Sequence, residues 1–459
     1  MKQKREHWGS KVGFLFAAIG SAIGLGILWK FPYTVGQNGG GLFLITYFIC
    51  LAIVGLPLLI GELILGRGSE RAAVGSFMVL HKGSTPWKLA GWLGVLASFL
   101  IMSFYSVIAG WGMSYILMSL TGFYQGLTRP EVARMYTDLS QSGSISLFWH
   151  LLFTAVTMGI VFSGVRKGIE FWTKLMTRVF LVLMVCLFLY SLTLDGFGKA
   201  CDFLFSLKTE NFQFSSAIEA LGLAFWTLSI GQGIMISYGS YMRHEADVLQ
   251  LAGIVAFSVV VVAILAGLTI FPIVFSFDVA PDSGPGLVFQ TLPYLFAQLP
   301  GSLVISTIFF SLFVFTALTS AIPLIEVVAT NIMELHEISR KKAVMIAGGG
   351  TFLLGIPSAF AYSGTLFPEW KAVYGMNFLD TVNTLVSIWI IPICGLLTSL
   401  FLGWILDRSV AFKEFTSGTR FGVLFSVWYF FVRFIVPLTI IVIIIQKSGL
   451  FNFDIIFSS

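Results

Sequence analysis

Gly20-Ser21-Ala22-Ile23-Gly24-Leu25-Gly26 puts three glycines within seven residues at the centre of an apolar run over 11–37. Each glycine weakens a helix by about 1 kcal/mol relative to alanine. In hydrocarbon, a broken backbone also exposes N–H and C=O groups that lipid cannot satisfy. Such a break is tolerated where the freed groups line a cavity and bind something. The segment therefore points to a binding site at mid-membrane depth, and to a chain that moves a solute rather than one that anchors.

The membrane setting follows from the rest of the chain. Ten further apolar runs lie at about 41–66, 89–120, 146–164, 171–195, 214–241, 248–277, 301–335, 341–363, 376–406 and 419–446, which predicts eleven spans. About 20 apolar residues suffice to cross a bilayer. Charged residues make up 11% of the chain, against about 25% in soluble proteins, and the deficit is spread evenly. The expectation is an all-α polytopic membrane protein, a single domain over 1–459 seated in the lipid bilayer. Met1–His7 is short and charged and runs directly into the first apolar run, so no cleaved leader is expected.

Basic residues cluster in alternate connections: Lys2, Lys4, Arg5 and Lys11; Arg67, Arg71, Lys82 and Lys88; Arg166 and Lys167; Arg243; Arg340, Lys341 and Lys342; Arg408, Lys413 and Arg420. The positive-inside rule makes that side cytoplasmic, with the N-terminus inside and the C-terminus outside. The net charge of +5 then reports orientation, not nucleic-acid binding. On the other side, 121–145 and 278–300 are long. Within the second, Gly284–Gln298 is apolar but interrupted by Pro285 and Pro293. It reads equally well as a re-entrant hairpin or as a surface helix. Cys50, Cys186, Cys201 and Cys394 match no disulfide or metal spacing, and the five histidines are scattered. With no base–nucleophile pair or metal cluster in the pattern, the chain is not expected to be an enzyme.

The sixth run repeats the opening theme. Phe225-Trp226-Thr227-Leu228-Ser229-Ile230-Gly231-Gln232-Gly233 sets Gly-x-Gly in mid-span beside hydroxyls and an amide. If runs one to five (about 11–195) and six to ten (about 214–406) are two repeats, the two breaks occupy equivalent places. Paired interruptions of this kind point to a transporter's central site.

These residues, with Phe31-Pro32, Asn38-Gly39-Gly40-Gly41, Gly61-Glu62, Tyr238–Tyr241 and Leu318-Thr319-Ser320, resemble the neurotransmitter:sodium symporters, particularly their prokaryotic LeuT-like amino-acid-transporting members. The resemblance runs from Arg5-Glu6-His7-Trp8 to the eleventh apolar run. It implies a five-plus-five inverted repeat with broken helices 1 and 6, an added helix at about 419–446, and a multi-pass protein of a prokaryotic cell membrane, monomeric or weakly dimeric.

The resemblance also implies a site. Ser21, Ala22, Gly24, Gly26, Ile101, Tyr105, Trp226, Thr227, Ser229, Gln232, Ser320 and Leu324 match the family's substrate positions. Amides beyond Gly24 would meet a carboxylate at the positive end of a half-helix. Gln232 stands where the side-chain pocket is often aromatic or Met, and suits a substrate group of some polarity. The family's second sodium site is matched by the carbonyls of Gly20, Ile23 and Thr316 and the hydroxyls of Thr319 and Ser320. Its first site is not matched. Two asparagines are replaced by Ile27 and Val259, leaving Ala22 and Thr227, too few oxygens for an ion that takes about six. The helix-7 position tied to proton or chloride compensation is Ala263. The outer gate is reduced to Lys30 with Asn383, or Asp380 one turn earlier. An inner gate of Arg5 and Glu334, flanked by Trp8 and Tyr241, is matched in full. Glu62 and Glu326 are intramembrane acids, and bracing of unwound backbone is the expected role of the first.

The functional expectation is import of a small amino acid or similar zwitterion by alternating access, coupled to one Na⁺ and needing no organic cofactor. A sodium-independent or proton-coupled carrier or exchanger of the same fold stands as the alternative. A nutrient sensor on a transporter scaffold fits less well, because no connection is domain-sized.

Overall fold

The computed structural model describes residues 5–81, 86–122, 126–207, 212–278 and 286–449. Gly284 and Pro285, and the basic residues Lys2, Lys4 and Lys82, lie outside them. The main helices are α1 (Lys11–Ala22), α2 (Gly26–Gln37), α3 (Gly41–Ser69), α4 (Lys88–Leu120), α5 (Gly143–Phe162), α6 (Val165–Ser191), α7 (Phe214–Thr227), α8 (Ile234–Gly239), α9 (Val248–Ser276), α10 (Ser302–His336), α11 (Arg340–Ala359), α12 (Trp370–Ile405) and α13 (Gly422–Lys447). Among the described residues nine helices are long and apolar enough to span a bilayer, and ten if α1 and α2, bent by 48°, form one span. This falls short of the eleven spans expected. The sixth apolar run forms two helices of 14 and 6 residues, separated by an irregular stretch.

Proline shapes several of the helices. Five segments with widened, i→i+5 turns end directly before a Pro-bearing helical turn: Gly26–Lys30 before Pro32, Leu51–Gly55 before Pro57, Leu287–Thr291 before Pro293, Leu385–Ile390 before Pro392, and Phe431–Ile435 before Pro437. A proline removes one N–H and its ring collides with the carbonyl four residues back. Widening the preceding turn relieves that collision without ending the helix.

The long connection after α4 carries a helix, Arg129–Gln141, capped by Thr128 and Glu131. The connection before α10 carries Leu287–Thr291 and Leu292–Gln298, whose inner residues Leu287, Phe289, Leu292 and Phe296 are buried.

Helices α4 and α10 form the buried centre, with 78% and 83% of their most apolar windows inside the protein, against 33% for α6 and 39% for α13. The outer helices present Phe148, Val182, Phe257, Leu353 and Leu438 outward, as a lipid-facing surface requires. In hydrocarbon no hydrophobic term favours helix association, so close packing must supply it. Small residues make this possible: a Cβ on Gly110 would collide with Trp149, and one on Gly94 would lie 2.9 Å from the Gly233 nitrogen.

Candidate functional site

The two unwound segments meet against α4 and α10. Helix α1 stops at Ala22, where Ile23 takes φ −82° and ψ 23° and donates its amide to Ile19 O, and the chain resumes at Gly26. After Thr227 the chain passes through Ser229 at φ 52°, Gly231 at φ 72° and Gly233 at φ 70°. Left-handed backbone is open to glycine and strained for serine. The Ser229 strain is held in place by hydrogen bonds: its hydroxyl donates to Ser21 O at 3.0 Å, and Ser21 Oγ donates to Ser229 Oγ at 3.1 Å. The Gly231 amide donates to Glu62 Oε1 at 2.7 Å, so the buried acid braces the break. Among the described residues Glu62 Oε2 has no hydrogen-bond partner.

Between the segments lies a small cavity lined by Ser21, Ala22, Gly24, Ile101, Tyr105, Trp226, Ser229, Gln232, Ile234, Ser320 and Leu324. Ten of these eleven residues are among the twelve substrate positions expected from sequence. Gly26 and Thr227 are the two that do not line it. Gly26 lies against Trp226, where a Cβ would run into the ring, and a Cβ on Gly24 would strike Ser320 Oγ. Tyr105 Oη accepts from the Leu25 amide at 3.3 Å, tying α4 to the first break.

Four of the five matched cation oxygens also converge. Thr319 Oγ1 donates to Gly20 O at 2.9 Å and to Thr316 O at 3.0 Å, and Ser320 Oγ lies 3.4 Å from Gly20 O and 3.0 Å from Ser21 O. The Thr316 hydroxyl turns to Leu312 O, leaving its carbonyl for the cluster. A set of neutral oxygens from two helices suits a hard monovalent cation. The other matched location is different: Ile27 and Val259 are fully buried. Thr227 Oγ1 is taken by Leu223 O at 2.9 Å and by Tyr47 Oη at 2.7 Å.

The end that carries Arg5 is tied by several contacts. Arg5 contacts the Glu334 carboxylate and the Ser240 hydroxyl, and its guanidinium sits 4.6 Å over the Tyr241 ring. Trp8 donates from Nε1 to Tyr238 O at 3.0 Å. Tyr241 Oη donates to Glu326 Oε1 at 2.5 Å, and Glu326 pairs with Arg340. Glu326 thus belongs to this latch and not to the cavity. At the opposite end the expected pairing does not form. Lys30 makes no ion pair among the described residues, and its Nζ lies 5.5 Å over the Trp226 ring. Asn383 accepts from Ser387, and Asp380 is held through its amide by Asn377.

Arg5→Ala should therefore loosen the end that carries it. Removing a partly exposed pair, about 1 kcal/mol, should raise severalfold the labelling rate of Ser237→Cys, at a buried position of α8 whose carbonyl accepts from Ser240, in a background without the native cysteines. An unchanged rate would mean that the other contacts hold that end alone.

Three residues escaped sequence reasoning. Ile234 lines the cavity, Tyr47 occupies Thr227, and Ser98 Oγ donates to Gln232 O at 2.7 Å. Gly94 and Ser98, four apart on α4, carry the small-xxx-small spacing that marks close helix approach and offered a signal for the third.

Comparison with known proteins finds relatives along nearly the whole chain. The model of the sodium:neurotransmitter symporter family matches residues 5–128 and 123–454. The uncharacterized sodium-dependent transporter YhdH of Bacillus subtilis is 38% identical over 453 residues, covering 98% of this chain and all of that protein. An uncharacterized sodium-dependent transporter of Haemophilus influenzae is 32% identical over 457 residues, covering 97% of this chain and 98% of that one. The crystal structure of MhsT in complex with L-phenylalanine superposes with a TM-score of 0.88 at 38% identity, over 96% of this chain and 100% of that one. With this fold, this site and these matches along nearly its whole length, the chain belongs to the sodium:neurotransmitter symporter family of membrane transporters.

Proposed function

We propose that this symporter imports an amino acid through the cavity between the two breaks, coupled to a single Na⁺ at the Gly20–Thr319 oxygen cluster. The observation that carries the stoichiometry is the complete burial of Ile27 and Val259, which puts aliphatic carbon where a second ion would need oxygen ligands. The bound L-phenylalanine of MhsT supports an amino-acid substrate. The N-terminus is cytoplasmic in this reading, which makes the Arg5–Glu334 end the inner gate.

The chemistry follows from the residues. Amides at the start of α2, together with the Tyr105 hydroxyl, suit a carboxylate, and carbonyls ending α1 and α7 suit an ammonium. Sodium acts on α1 rather than on the substrate directly. When it binds, Thr319 and Ser320 turn their hydroxyl protons away from Gly20 O and Ser21 O, and the ion replaces those bonds as the bridge between α1 and α10. A ligand shifts a conformational equilibrium only by its differential affinity for the two states, and this bridge supplies the difference if it exists in one state alone.

The test is uptake into proteoliposomes under an imposed Na⁺ gradient, then with Na⁺ replaced by K⁺ or choline. Accumulation should require Na⁺. Equal accumulation in choline would favour a sodium-independent carrier of the same fold.

A further inference from the structure

Gln232 occupies an unusual position in the cavity wall. Its backbone is pinned on three sides: Gly231 N donates to Glu62 at 2.7 Å, Ser98 Oγ donates to Gln232 O at 2.7 Å, and Gly94 packs against the Gly233 nitrogen. It stands between two glycines of positive φ and lines the cavity. It is 4% exposed. Among the described residues its amide has no hydrogen-bond partner.

The neighbouring polar groups are already engaged. Ser21, Ser229 and Ser320 bond to each other or to Ser21 O, and Tyr105 accepts from Leu25. With no protein partner, the amide is free to pair with a ligand, and a substrate that covers it without offering a hydrogen bond would leave it buried and unpaired at a cost. The remaining wall limits what that group can be. No Asp, Glu, Lys, Arg or His lines the cavity, so a charged side chain would be buried without a counter-charge. Ile101, Ile234, Leu324 and Trp226 supply carbon surface for a short aliphatic stem.

We infer that the transported substrate is an amino acid with an uncharged hydrogen-bonding side chain, an amide or a hydroxyl, selected by Gln232. This rests on the amino-acid reading above and narrows it.

The experiment is binding to the purified full chain in saturating Na⁺, comparing near-isosteric pairs: L-glutamine with L-methionine, L-asparagine with L-leucine, and L-threonine with L-valine. For at least one pair the polar member should bind about 10- to 100-fold tighter, the range expected for one hydrogen bond made against one buried amide left unpaired. Gln232→Leu should bring that ratio to near one or invert it. Tighter binding of the apolar member in every pair would overturn the inference and leave the amino-acid reading standing. So would a polar preference that Gln232→Leu leaves unchanged. If Gln232→Leu does not fold, the wild-type ratios decide alone. Binding of no amino acid at all would overturn the amino-acid reading itself.

Discussion

Replacing Thr319 with Val and Ser320 with Ala together is expected to abolish the response to sodium. In the proposed site the pair contributes two hydroxyl oxygens beside the carbonyls of Gly20 and Thr316. Thr319 Oγ1 already lies within 3.0 Å of both Gly20 O and Thr316 O, so it sits at the centre of the set. Interactions of neutral groups with a charge contribute about 1.5–3 kcal/mol each, so losing both should weaken Na⁺ binding by roughly 3–6 kcal/mol, more than ~100-fold. Without sodium the variant loses only neutral hydrogen bonds, about 1 kcal/mol apiece. Thermal unfolding with and without Na⁺ separates the two effects. The wild type should be stabilised by Na⁺ and the double variant should not. A sodium-induced shift of wild-type size in the variant would place the ion elsewhere.

The converse substitution, Ile27→Asn with Val259→Asn, is expected to produce the second largest effect. Both positions are fully buried, and Thr227, the nearest expected polar ligand, is committed to Leu223 O and Tyr47. In K⁺ each new amide would lie unpaired at about 1–3 kcal/mol, lowering stability by roughly 2–6 kcal/mol in total, a large share of typical folding stability. Sodium should recover part of that loss by engaging the two amide oxygens. The variant should therefore show a larger sodium-induced rise in melting temperature than wild type, and a steeper dependence on sodium concentration. Either substitution alone should show the loss with little recovery. A double variant as stable in K⁺ as wild type would mean that these positions have polar partners after all.

What could be read from sequence tracks how local the physics is. Lipid forces each span to be a continuous apolar helix, so most of the runs mapped onto helices within a few residues. The glycine clusters marked their own breaks, because glycine at 231 and 233 carries the left-handed backbone needed there. The cavity positions came from motif resemblance, and the structure gathers ten of them around one space. Contacts between distant side chains stayed hidden. Tyr47 with Thr227, Ser98 with Gln232, and Arg340 with Glu326 leave no periodic trace in the chain. The placement of Lys30 over the Trp226 ring was hidden for a related reason: a cation facing an amide has little to hold it there. Hydropathy alone gives eleven spans because it cannot see that Ser229–Gly233 splits its run into two helices too short to cross unaided.

Coupling to one sodium ion is tested most directly by flux stoichiometry. Initial uptake of radiolabelled Na⁺ and of a radiolabelled amino acid, found to bind in a thermal-shift screen, would be measured in the same proteoliposomes. One sodium per amino acid, with a Hill coefficient near one for Na⁺, is the predicted result. Two sodium ions per amino acid, with a coefficient near two, would contradict it and would require a second ion beside Ile27 and Val259.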